Sequence, residues 1–226
     1  LMPGALDAAL GLPQGSVVTV TCSPSRGVAA TIDLAEQLRA CGYRVETHLA
    51  ARRFESHAHL QDTVACLDTA GIGDVFVIGG DGDSSAGPFA GADLIAALAE
   101  IAPHLHSVGI PCYPEGHAAI GAQLLNEALD AKCFFAGHMV SQICFDADTI
   151  ECWLVRTRDR GVALPVYIGL PGVIERRKLL GIALRIGLGD STRVFEQEHR
   201  LLAPSGAGST ARTQNHGDHL GRRAAD

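Results

Sequence analysis

Six short apolar runs recur along the chain at intervals of roughly thirty residues, each followed by a stretch with helical spacing. The runs are Ser16–Cys22, Arg44–Leu49, Asp74–Ile78, Ser107–Cys112, Met139–Phe145 and Leu164–Leu170. Thr31–Cys41 carries Ile32, Ala35 and Leu38 on one face, and Ala58–Ala70 carries Leu60, Val64 and Leu67. Ala92–Ile101, Ala118–Ala131, a helix capped by Asp146 or Asp148 and ending at Gly161, and Val173–Ile186 complete the pattern. That interval is the length of one strand–helix–strand crossover. Runs as continuously apolar as DVFVI are strands buried on both faces, which is the habit of parallel sheets. The expected fold is therefore α/β, a TIM (β/α)8-type barrel that is incomplete, with about six βα units recognisable. An open doubly wound sheet is the second choice.

The 226 residues suffice for one large α/β domain, expected over residues 1–202. Residues 203–226 are rich in Ala, Gly, Ser and Arg and lack an apolar pattern, so they are expected to form a polar, disordered tail. His216 and His219 in that tail are not read as metal ligands, and no metal is expected. A net charge of -7 argues against nucleic acid or an anionic membrane as the main partner, while leaving room for a local cationic pocket. No run is long enough for a membrane span, and a cytoplasmic location is expected. The seven cysteines include no C-x-x-C pair and are expected to be small buried hydrophobes.

In a parallel barrel, ligands bind where strands end at their carboxyl termini. The candidate site residues are those at the successive strand ends: Thr21, His48, Asp81, Tyr113 with His117, and Gln142. Each has an ordinary explanation taken singly, as a turn or loop residue. Gln142 is the hardest to explain away, since an amide inside an apolar run is costly to bury without partners. The glycine run Gly79–Gly87 fits neither G-x-G-x-x-G nor the Walker spacing, and is read as backbone clearance for a flat ligand lying across Asp81. Neither a G-x-S-x-G elbow nor H-E-x-x-H occurs.

The ordered set V-T-V-T (18–21), T-H-L (47–49), G-G-D (79–81), Y-P-E-G-H (113–117), S-Q-I-C-F-D (141–146) and P-V-Y-I-G-L-P (165–171) resembles the methylenetetrahydrofolate reductase family. The likeness covers nearly all of residues 1–193, and is nearest to a small single-domain branch thought to work without bound flavin. It implies a TIM barrel that reduces 5,10-methylenetetrahydrofolate to 5-methyltetrahydrofolate. It further implies that Asp81 is catalytic, hydrogen-bonding the pterin and favouring a cationic iminium intermediate, and that Gln142 also grips the substrate. Thr21, His48, Tyr113 and His117 match positions that line the cofactor site of flavin-containing relatives. Gly80, Gly121 and Ala128 stand where those relatives hold the polar tail of FAD, with Lys132 only a weak substitute, so the resemblance points to NADH or NADPH as direct hydride donor.

Two departures concern the ends of the chain. The family's first strand ends F-E-x-x-P, and Leu1-Met2-Pro3 aligns with x-x-P, which puts the general-acid glutamate ahead of residue 1. The last family strand is replaced by the polar tail. Residues 1–226 alone are therefore expected to turn over slowly. The alternatives are a folate- or pterin-binding protein of methyltransferase type, or an inactive remnant of the reductase. A barrel for a phosphorylated metabolite is a third reading, disfavoured by the lack of a glycine-rich phosphate loop near a seventh strand.

Overall fold

The computed structural model describes residues 4–23, 26–80 and 88–170. The expected helix Val173–Ile186, the domain limit at 202 and the tail lie outside the described residues, as does Asp81. A short helix α1 (Ala5–Ala9) precedes β1 (Val17–Val20), α2 (Gly27–Ala40), β2 (Arg44–Ala50), α3 (His57–Thr69) and β3 (Asp74–Ile78). Then come α4 (Gly91–Ile101), β4 (Ser107–Cys112), α5 (Ala122–Cys133), β5 (His138–Ser141), α6 (Ala147–Asp159) and β6 (Val166–Tyr167). The six strands pair in sequence order, all parallel, as the curled half of a barrel.

Local chemistry sets the ends of these elements. Gly42, Gly71 and Gly161, all with positive φ, follow α2, α3 and α6 and end them. Ser56 Oγ accepts from the His59 N–H at 3.1 Å to open α3. Asp146 is the cap of α6: its carboxylate accepts from the N–H groups of Asp148 and Thr149 and from the Thr149 hydroxyl. Those bonds, the hydroxyl's first, hold its pKa below the usual range despite some desolvation.

Four expectations need correction. The helix predicted from Ala118 begins at Ala122, because the Y-P-E-G-H segment closes on itself through a bridge between His117 and Ile120. The strand predicted to Phe145 stops at Ser141, and the one predicted over Leu164–Leu170 shrinks to two residues. Pro165 has no N–H to give the ladder, and Gly169 N–H goes to Ser141 Oγ at 2.9 Å instead of continuing it. Not every cysteine is buried either: Cys112 and Cys144 are, whereas Cys66 and Cys152 are exposed, and all seven are free thiols.

Alternation along the strands sorts the side chains into two layers. Val20, Val45, Leu49, Val75, Val77, Ile110, Cys112 and Met139 join Leu38, Leu60, Leu98 and Leu129 of the helices in one apolar core. The opposite, concave face carries Thr19, Glu46, His48, Phe76, Gly109 and His138 in register. Here Glu46 Oε1 meets His138 Nε2 at 3.0 Å, Thr19 Oγ1 donates to Glu46 Oε2 at 3.2 Å, and Ser107 Oγ lies 3.1 Å from His138 Nδ1. In a flat sheet β2 and β5, three strand spacings apart, would stand about 14 Å from each other. A 3.0 Å contact between their side chains requires the sheet to curl, and the sequence order of the strands makes that curl a barrel wall.

Candidate active site

At the carboxyl ends of β1 to β4 the wall opens into a cavity of about 420 Å³. It is lined by Cys22 after β1, by Ala50, Arg52 and Arg53 at the end of β2, and by Ile78, Gly79 and Gly80 at the end of β3. Tyr113, His117, Ala119 and Ile120 of the loop after β4 complete it. The Tyr113 and His117 rings meet edge to face, with centroids 5.3 Å apart. The His117 Nδ1 accepts from the Ala119 N–H at 3.2 Å, which fixes the ring against its own turn. Gly80 has φ 84, and a Cβ built there would stand 3.1 Å from the Ala50 Cβ. A side chain at this position would be strained.

Arg52 joins the ends of β2 and β3. It sits on a single turn of 3-10 helix, Ala51–Arg53, that directly follows β2. Its backbone N–H donates to the Gly79 carbonyl at 3.1 Å, and its guanidinium Nη1 donates to the Gly80 carbonyl at 2.6 Å. The sequence reading passed over Arg52 and Arg53. Their signal lies in the sequence, since they are the first charged residues beyond the end of β2.

His48 lies within β2, two residues before its end, stacked on Phe76 with centroids 4.7 Å apart and planes at 23°. Its Nδ1 is buried and has no hydrogen-bond partner among the described residues. Burial lowers its pKa from 6.5 to about 4, so the ring is neutral near pH 7. Between those two values the unfolded chain binds the proton more readily than the folded one. The stabilisation is therefore whole above about pH 6.5, shrinks as pH falls, and is gone below about 4. Denaturant titrations at pH 7 and pH 5 are expected to show a loss of about 1–2 kcal/mol, which His48→Gln removes in large part. A pH dependence identical in the two proteins contradicts this account.

The other expected residues are placed as follows. Thr21 is exposed, one residue past β1 and next to the cleft-lining Cys22. Gln142 follows β5 directly, half-buried, with its backbone N–H on the Cys112 carbonyl at 2.9 Å. Tyr113 and His117 are brought together in the cleft wall, and Thr21, His48 and Gln142 are not part of that lining. Glu115 is tied into its loop, with Cys144 Sγ–H donating to its carboxylate at 3.2 Å. Lys132 is buried in the side of the barrel, where desolvation lowers the pKa of its ammonium group. It lines a smaller cavity of about 170 Å³ between α5 and α6, together with Ala128 and Arg156. Among the described residues no helix is long and apolar enough to cross a membrane.

The fold is similar to a crystal structure from Burkholderia cenocepacia J2315, provisionally named as a lyase/mutase, with a TM-score of 0.53. The match covers 88% of this chain and 86% of that one at 20% identity, which is a likeness of fold alone. The sequence itself matches the methylenetetrahydrofolate reductase family over residues 8–182. With six parallel strands, a cleft at their carboxyl ends and Y-P-E-G-H forming part of its wall, the chain belongs to the methylenetetrahydrofolate reductase family.

Proposed function

We propose that this protein reduces 5,10-methylenetetrahydrofolate to 5-methyltetrahydrofolate with NADH or NADPH as the hydride donor, as a cytoplasmic enzyme supplying methyl groups for methionine. Family membership makes it an oxidoreductase of the folate-linked kind. The observation that carries the finer reading is that Tyr113 and His117, from the most specific motif in the chain, line the cavity at the strand ends. A nicotinamide bound there supplies the hydride.

The work of the chain's own groups is electrostatic and positional. Asp81 is proposed to hydrogen-bond the pterin and stabilise the positive charge that develops when the folate ring opens to the iminium. Gln142, at the end of β5, orients the pterin through its amide. Thr21 lies at the rim. His48, neutral near pH 7, offers a polar edge without adding a charge that would oppose the cation. Glu115 is bound to Cys144 and is not given the role of general acid.

A tightly held FAD does not fit these residues. Gly80 offers no side chain where flavin-binding relatives carry an arginine, and one added here would be strained by the φ of 84 and crowded by Ala50. Gly121 has no side chain, and Ala128 offers a methyl group to the smaller cavity between α5 and α6. Lys132 is buried in that cavity as well. The test is oxidation of NADH by the purified protein, measured on this chain and on its reading frame carried upstream of Leu1. Oxidation should depend on methylenetetrahydrofolate, without flavin absorbance after dialysis. Folate binding without any hydride transfer in the extended chain would favour a pterin-binding protein of methyltransferase type. A persistent flavin band would refute the direct-transfer reading.

A further inference from the structure

The protein carries a net charge of -7, yet no Asp or Glu lines the cleft among the described residues, and two arginines do. Arg52 is held in place rather than merely present. One of its guanidinium nitrogens is anchored on the Gly80 carbonyl, and its backbone is anchored on Gly79. Those two bonds join the ends of β2 and β3 and restrict the fork before any ligand arrives. A guanidinium keeps its charge at any working pH and presents five N–H donors in a plane. Using one of them on Gly80 leaves donors for an anion in the cavity, at less entropic cost than a free side chain would incur. Glycines at 79 and 80 leave the floor beside it bare of side chains, so a ligand can approach the backbone closely.

From this arrangement we propose that the cleft is an anion subsite, in which Arg52, with Arg53 beside it, holds a multiply charged segment of a ligand. Resting on the reductase reading, that segment is either the diphosphate of the nicotinamide donor or the carboxylates of a folate's glutamate tail. It takes over, from the β2 end, the anchoring that a side chain at position 80 would otherwise provide.

The experiment is calorimetric binding of ADP, and separately of monoglutamyl and polyglutamyl tetrahydrofolate, to the full chain and to Arg52→Gln, Arg52→Lys and Arg53→Gln. Arg52→Gln should weaken one of these ligands by roughly tenfold or more, with partial rescue by Arg52→Lys and a loss of affinity in added salt. Loss confined to ADP assigns the diphosphate, and loss confined to the polyglutamyl preference assigns the tail. Since Arg52→Gln also removes the bond to Gly80, Arg53→Gln serves as the variant that leaves that bond intact, and thermal melting checks each protein. Unchanged affinity for every ligand in both Gln variants overturns the proposal. ADP binding needs no turnover, so Arg52-dependent binding together with an absence of folate-dependent NADH oxidation in the chain extended upstream of Leu1 would sink the reductase reading while leaving the subsite standing.

Discussion

Gly109→Ala is expected to destabilise the protein by about 3–5 kcal/mol, lowering the melting temperature by roughly 10 °C, or to prevent soluble expression. Gly109 lies in β4 with Phe76 of β3 on one side and His138 of β5 on the other. A Cβ built there would stand 2.5 Å from Phe76 Cδ2 and 2.5 Å from His138 Nε2. Phe76 is buried and stacked on His48, so it has little room to retreat. His138 would have to give way, and its Nε2 is the atom that meets Glu46. Glu46 is 7% exposed, and burial already pushes its carboxyl pKa up against the opposing pull of His138. Displacing His138 leaves the buried Glu46 carboxyl with only the Thr19 hydroxyl as partner, a cost added to that of the overpacking. Gly137→Ala is the control: its added Cβ meets Ser107 Oγ at an ordinary 3.5 Å, so a change within about 1 kcal/mol is expected. Equal urea midpoints for the two variants would show that the crowding at Gly109 is relieved without cost.

Asp81→Asn is expected to lower folate-dependent turnover by about a hundredfold to a thousandfold while leaving the unfolding midpoint unchanged. The amide keeps the size and one hydrogen-bonding oxygen of the carboxylate but loses the charge that would face the iminium. The loss should therefore appear in kcat and in kcat/KM together, the mark of an interaction strengthened in the transition state. Asp83→Asn, two residues on in the same glycine-rich run, should change turnover by no more than a few-fold. Steady-state rates in the chain extended upstream of Leu1 decide it: similar losses in both variants would mean a diffuse field rather than a positioned carboxylate.

Much of the architecture was legible because the two periodicities are clean. Asp74–Ile78 and Ser107–Cys112 were read with the bounds the strands have, and Gly161 marked a helix end by the same backbone freedom the structure uses. The failures cluster at the carboxyl side of the sheet. Ile143, Cys144 and Phe145 are as apolar as a strand, yet they pass over the barrel's end as irregular chain, with Cys144 buried against Glu115. Periodicity reports burial, and here burial does not mean a ladder. The Glu46–His138 pair was missed for a related reason. Both residues look like ordinary polar strand positions until the pairing order puts them on one concave face. Arg52 was overlooked because its importance lies in what it joins, Gly79 and Gly80, which lie 27 and 28 residues further along the chain. No local pattern encodes such a partner.

The bond between Glu46 and His138 acts as a chord across a bowl. It lies in the amino-terminal halves of β2 and β5, away from the cleft, so the bowl's radius is set at its foot before any loop at the rim is chosen. Loops at the mouth are then at liberty to change, as in the proposed transfer of ligand anchoring from position 80 to Arg52, without altering how far apart the strand tips stand.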